Sequence, residues 1–121
     1  MTHLLIADDS AVMRKIVIRT LRQAGFAGLE ITEAEDGQDL LDKAIAISPD
    51  LILSDWNMPN MTGIEALRAV RAAGSMVPFG FVTSESSESM RSEAESAGAA
   101  FLVTKPFTAE VFESALGAYV S

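Results

Sequence analysis

Short apolar runs along this chain alternate with longer stretches in which apolar residues recur every three or four positions. Leu4-Leu5-Ile6-Ala7, with His3 at its mouth, is the first run and reads as a strand. Met13, Ile16, Val17, Leu21 and Ala24 then share one helical stripe, with Asp9 or Ser10 as its N-cap and Gly25 closing it. Leu29, Ile31 and Ala34, interleaved with Glu30, Thr32 and Glu33, indicate a strand nearer a sheet edge. After the turn Glu35-Asp36-Gly37, a helix carries Leu40, Leu41, Ala44, Ile45 and Ile47 inward and stops at Pro49. Leu51-Ile52-Leu53 is a third strand, followed by an irregular stretch with Pro59, Asn60 and Gly63. A helix with Ile64, Leu67 and Val70 inward ends near Gly74.

Residues 77–82 form a fourth strand, in which Gly80 predicts close packing or a bulge. The helix over 88–97 is thin, with only Met90, Ala94 and Ala97 to turn inward among serines and glutamates. A fifth strand over 100–103 precedes a last helix that buries Phe112, Ala115, Leu116 and Tyr119. Short apolar strands alternating with helices predict an α/β fold, a parallel sheet covered on both faces. Right-handed crossovers limit it to a few doubly wound topologies. The length, 121 residues, suits one domain over 1–121.

Composition narrows the chemistry. There is no cysteine, so disulfides, thiolate metal sites and thiol nucleophiles are excluded, and a reducing cytoplasm is the expected location. No apolar run reaches the length of a membrane span, and no basic region followed by an apolar segment opens the chain. The net charge is −8, from 17 acids against 9 bases, which repels nucleic-acid phosphates and points to protein partners.

In open α/β sheets, ligands bind outside the carboxyl ends of the strands. Those ends carry Asp8-Asp9, Glu35-Asp36, Asp55, Thr83-Ser84 and Lys105. Singly, each has an ordinary explanation: a turn acid, a helix cap, a strand threonine, a surface lysine. His3, Glu35 and Asp36 are read that way, as structural residues.

Together the rest are harder to dismiss. With the first strand placed centrally, Asp8, Asp9 and Asp55 crowd one crevice, and two carboxylates ~4 Å apart repel by about 4 kcal/mol at an effective dielectric near 20. Lys105 cancels one of the three charges, and a divalent cation would cancel the other two. Oxygen donors without His or Cys select Mg2+, or manganese in vitro, over zinc. The Thr83 hydroxyl, the Lys105 ammonium and loop N–H groups suit a phosphoryl guest. A carboxylate can itself accept the group, and Asp55, alone on its loop opposite the metal-holding pair, is the natural acceptor.

These residues are ordered as in response-regulator receiver domains, which the chain resembles over essentially its whole length. The resemblance rests on Asp8-Asp9 followed by Met13-Arg14, on Ser54-Asp55-Trp56-Asn57-Met58-Pro59-Asn60-Met61-Thr62-Gly63, on Val82-Thr83-Ser84-Glu85 and on Lys105-Pro106-Phe107. Among receivers it is most similar to the stand-alone chemotaxis type. The resemblance implies a (βα)5 fold with strand order 2-1-3-4-5. It implies that Asp55 is phosphorylated by a histidine kinase of chemotaxis type. It further implies that Asp9, Asp55 and the Asn57 carbonyl bind Mg2+ directly, with Asp8 acting through water. Thr83 and Lys105 would contact the phosphoryl oxygens, Lys105-Pro106 would be cis, and the Asn57 and Glu85 side chains would tune the lifetime of the acyl phosphate. The implied partners are that kinase, a flagellar motor switch protein and a phosphatase. Neither nucleic acid nor membrane insertion is expected.

One position departs from the family. Three residues before the lysine, where receivers usually carry Tyr or Phe, stands Leu102, and the aromatic is Phe101. Side chains alternate across a strand, so Phe101 should face the other way. The thin fourth helix and last strand are then expected to respond by a shift in helix packing instead of a ring turn.

Competing functions are a phosphate sink without output, an unphosphorylated adaptor, an FMN protein of similar fold and a small magnesium phosphatase with an Asp nucleophile. The acidic first loop opposes FMN. Asp8-Asp9-Ser10-Ala11-Val12 lacks the Asp-x-Asp-x-Thr spacing of such phosphatases. The expectation is therefore a signalling protein, not an enzyme beyond its own phosphorylation and dephosphorylation.

Overall fold

The computed structural model describes residues 2–26 and 28–119. Strands β1 (His3–Ala7), β2 (Glu30–Ala34), β3 (Leu51–Ser54), β4 (Phe79–Thr83) and β5 (Phe101–Thr104) alternate with helices α1 (Ala11–Gln23), α2 (Gly37–Ile47), α3 (Gly63–Ala72), α4 (Glu88–Ala97) and α5 (Ala109–Leu116). The sheet is parallel with order β2-β1-β3-β4-β5. Its central strand is β3, not β1, but β1 is its neighbour with Ala7 opposite Ser54, so Asp8 and Asp55 still emerge side by side. The edge position expected for the second strand is the one β2 occupies.

Side-chain alternation divides the core in two. Leu5, Ala7, Ile52, Phe79 and Phe81 meet Leu40 and Ala44 of α2, Ile64, Leu67 and Val70 of α3 and Ala94 of α4. Leu4, Ile6, Leu51, Leu53, Val82 and Val103 meet Val17 and Leu21 of α1 and Phe112 and Leu116 of α5. A fully buried side chain of this kind contributes about 1.5–3 kcal/mol, so the two layers supply the rigidity on which the loops are mounted.

Each helix starts where a strand has ended, and each is capped there. Ser10, Asp36, Thr62, Ser87 and Thr108 accept an N–H from three residues on, and Thr62 with Glu65 forms a full capping box. Such a cap contributes about 1 kcal/mol and fixes how the loop meets the helix. Gly25, at φ +93°, ends α1 in the left-handed region as expected.

Several expected positions shift. Ile16 and Ile45 are exposed, because each lies about 100° around its helix from a buried neighbour, Val17 or Ala44. Tyr119 is exposed beyond the end of α5. The fourth strand begins at Phe79, since Pro78 has no N–H for the ladder, and runs on to Thr83. The fifth runs one residue later than expected at both ends, and α3 begins at Gly63. No described helix is long and apolar enough to cross a membrane.

Gly80 marks close packing: a Cβ there would collide with the Phe101 ring of the adjacent strand. Phe101 packs on the α1/α5 layer and Leu102 on the α2–α4 layer, as alternation requires. Gly80→Ala should therefore cost about 1–3 kcal/mol of unfolding free energy through overpacking. In a double-mutant cycle by urea denaturation, that cost should shrink in a Phe101→Ala background; an unchanged cost would place the strain elsewhere.

Candidate functional site

Five loops meet at the carboxyl edge of the sheet. Among them, one oxygen each from Asp8, Asp9 and Asp55 lies within 4.8 Å of the others. Lys105 reaches in from the end of β5, its Nζ 3.3 Å from Asp8 Oδ2 and 3.5 Å from Asp55 Oδ2. Asp8 is buried, Asp55 half-buried and Asp9 exposed, so the cluster opens to solvent on the Asp9 side.

Local bonds orient Asp8 and Asp55. The Ser10 N–H donates to Asp8 Oδ1 at 2.9 Å, and the Trp56 N–H to Asp55 Oδ1 at 2.8 Å. That leaves Asp55 Oδ2 turned toward the lysine. The Asp55 N–H donates to the Ala7 carbonyl at 2.9 Å, which ties the loop after β3 to the strand that carries Asp8. Trp56 packs its ring against Phe81, centroids 4.8 Å apart, and anchors the loop to the core.

Thr83 is fully buried at the end of β4. Its hydroxyl accepts the Glu85 N–H at 3.3 Å, and its carbonyl accepts the Lys105 N–H at 2.7 Å, joining it to the lysine through the main chain. The Lys105-Pro106 peptide is cis. Asn57 and Glu85 are exposed on loops at this edge. Asp8, Asp9, Asp55 and Lys105 thus make one contact cluster, with Thr83 linked to it and Asn57 two residues beyond the Asp55 carboxylate.

Residues without a role in the sequence reading also shape the site. Gly63, which opens α3, lies so close under the Asp55 carbonyl that a Cβ would collide with it. A glycine in a first helical turn, and not in a loop, was the available signal. Ser54, buried, donates to the same carbonyl at 2.8 Å. Asp36 is more than a turn residue: it caps α2 and accepts a 2.7 Å bond from Asn60 Nδ2, which pins the far end of the loop after Asp55. Those bonds, the Asp39 N–H first and then Asn60, hold the Asp36 carboxyl below its ordinary range.

The electrostatics favour a cation. Burial is the main cause that raises the Asp55 carboxyl above its ordinary value; Lys105 opposes it and Asp8 adds to it. Three carboxylates against one ammonium leave the cluster two charges short, and the all-oxygen donor set fits a hard divalent ion. Asp8, Asp9 and Asp55 are the groups that would hold it.

Known proteins resemble the chain in sequence and in fold. Residues 4–117 match the family described as the response regulator receiver domain. The chain is 42% identical over 112 residues to the chemotaxis protein CheY of Pseudomonas aeruginosa, covering 91% of this chain and 89% of that protein. It is 36% identical over 115 residues to chemotaxis protein CheY-3 of Vibrio cholerae, covering 93% of this chain and 87% of the other. The crystallised chemotaxis protein CheY4 of Vibrio cholerae superimposes with a TM-score of 0.87 at 36% identity, over 99% of both chains.

A carboxyl whose folded pKa lies above its unfolded one contributes stability that is present below the unfolded value and lost as pH rises through the folded value. Near pH 7 without divalent ions, ionised Asp55 therefore costs folding free energy. Asp55→Asn should raise the urea midpoint of the metal-free protein at pH 7, and the gain should shrink as pH falls into the ordinary carboxylate range. A lower midpoint for Asp55→Asn at pH 7 contradicts this account.

Proposed function

This chain belongs to the response regulator receiver domain family, and from that premise we propose that it is a phosphoacceptor switch whose acceptor is Asp55. The observation that carries the proposal is a half-buried carboxylate 3.5 Å from a lysine and clustered with two further aspartates at the carboxyl edge of the sheet. Asp8, Asp9, Asp55 and the Asn57 carbonyl would hold Mg2+, which when bound neutralises charge on the transferring group.

The chain's own groups account for the rest. Asp55 Oδ2 is the nucleophile, since Oδ1 is engaged by the Trp56 N–H. A phosphohistidine donor fits: a P–O bond forms to Asp55, the P–N bond breaks, and the imidazole leaves with its electron pair and takes up a proton. Burial raises the basicity of the carboxylate and so its reactivity toward phosphorus. Lys105, already between Asp8 and Asp55, follows the transferred oxygens, and the Thr83 hydroxyl offers a second donor at the same edge. The product adds roughly −1.5 to −2 charges to a cluster that one ammonium had been balancing, and the loops that carry Thr83 and Lys105 reorganise in response.

The signal leaves by protein contact in the cytoplasm. The relatives are chemotaxis proteins, so the proposed donor is a chemotaxis-type histidine kinase and the proposed target a flagellar motor switch protein, with a phosphatase to reset the state. Catalysis is confined to the chain's own phosphorylation and dephosphorylation. A phosphate sink is favoured by one observation: the inward position of the last strand holds Leu102, not a ring, so the usual link from acceptor to output surface is altered.

Incubation with acetyl phosphate and magnesium, read by intact mass, should add about 80 Da, one phosphoryl group. The adduct should vanish in Asp55→Asn and with chelator. Rapid turnover of many small phosphate esters, with no adduct, would point to a phosphatase. Binding of the phosphorylated form to a motor switch protein separates the switch from the sink.

A further inference from the structure

Arg14 stands in the first turn of α1, at the positive end of the helix dipole, where a cation is least favoured. It is nevertheless largely enclosed, its side chain 15% exposed. Nη1 donates to the main-chain carbonyl of Asp8 at 2.6 Å, and Nε donates to Glu33 Oε1 on the edge strand at 2.9 Å. Two acceptors in different directions call for the planar fork of a guanidinium, which lysine lacks.

What this arrangement holds follows from the bonds around it. The Asp8 carboxylate is oriented without Arg14, by the Ser10 N–H and by Lys105. The Asp8 N–H is fixed in the sheet, 3.1 Å from the Ala34 carbonyl. Asp9 is exposed, and no hydrogen bond among the described residues holds its carboxylate. Its direction is set by the peptide joining Asp8 to Asp9, and the oxygen of that peptide is the one Arg14 grips.

We propose that Arg14 is a positioning residue for the cation site: held by Glu33, it locks the Asp8–Asp9 peptide and so keeps Asp9 turned toward Asp55. The inference rests on reading the cluster as a magnesium-dependent phosphoacceptor site. It makes a prediction opposite in sign to simple electrostatics. A guanidinium near a cation site repels the cation, so if charge were its only effect, removing Arg14 would tighten Mg2+ binding.

Calorimetric titration of the full chain with magnesium chloride decides between the two. Arg14→Met and Arg14→Lys should each weaken Mg2+ binding about tenfold, as is usual when a group that orients a ligand is lost. The loss should persist in about 1 M salt, where the screening length is about 3 Å. Acetyl phosphate labelling should slow at limiting Mg2+ and recover at saturating Mg2+. Unchanged or tighter binding by folded Arg14→Met would falsify the positioning role. Should Arg14→Met not fold, Glu33→Ala decides, because that side chain is 42% exposed on an edge strand. It should weaken Mg2+ binding in the same high salt, and unchanged affinity there overturns the proposal. If the unsubstituted chain neither binds Mg2+ nor accepts phosphate, the fault lies in the reading of the site and not in the role of Arg14.

Discussion

One ammonium shared between two carboxylates is the constraint around which this protein is built. Lys105 lies within 3.5 Å of both Asp8 and Asp55, while Asp9 completes the acidic group from the solvent side. At an effective dielectric near 20, each carboxylate pair at such distances repels by about 4 kcal/mol, and a single lysine cannot offset all of it. The deficit is visible in the Asp55 carboxyl, pushed upward by burial and by Asp8 despite the lysine. A site left short of positive charge gains from a cation. It also gains when an arriving phosphoryl group brings that cation and the lysine into one arrangement.

The fold keeps these charges together by bringing the strand ends that carry them to one edge. The parallel strands, of which β1, β3 and β4 are buried on both faces, end at one edge, and a capped helix begins after each. Glycine then allows contacts that no other residue would permit. Gly63 brings the start of α3 against the Asp55 carbonyl, and Gly37 brings the start of α2 against the Met61 carbonyl. With Asp36 bonded to Asn60, the loop after Asp55 is gripped at its beginning, at its far end and from the neighbouring helix. On the proposed function, little of that loop is left to relax on phosphorylation, which leaves the loops bearing Thr83 and Lys105 to respond.

The parts legible in the sequence are those set by short-range rules. Apolar period gave every strand and helix, and strand ends gave the acids, the threonine and the lysine. Boundaries moved where local chemistry competes with period, as at Pro78, which cannot donate to the ladder. Ile16 and Ile45 were misplaced because a residue at the margin of an apolar stripe faces inward or outward according to the neighbouring helix, which sequence does not contain. The centre of the sheet is β3 and not β1, because strand order is a long-range property that local pattern leaves open; the family resemblance carries the order that is found. Arg14 is legible only as part of the family pattern and not by its role, for the same kind of reason: its partners are a main-chain carbonyl and a residue on another strand.

The aspartate cluster and the displaced aromatic answer to different constraints of the fold. Asp8, Asp9, Asp55 and Lys105 lie at strand ends, where the loops point one way whatever covers the sheet. Phe101 and Leu102 lie within a strand, where a shift of one position sends a side chain to the opposite layer. Phe101 occupies the space that Gly80 leaves on the α1/α5 side, with Tyr119 5.9 Å away, and Leu102 takes the inward place beside α4. A ring filling a glycine's space cannot turn toward Thr83 without emptying it, and Leu102 has no ring to turn. The direct link between the two loops is in the main chain, where the Thr83 carbonyl accepts the Lys105 N–H at 2.7 Å. That bond joins the ends of β4 and β5, so on the proposed function it is the route that does not require an aromatic ring to turn.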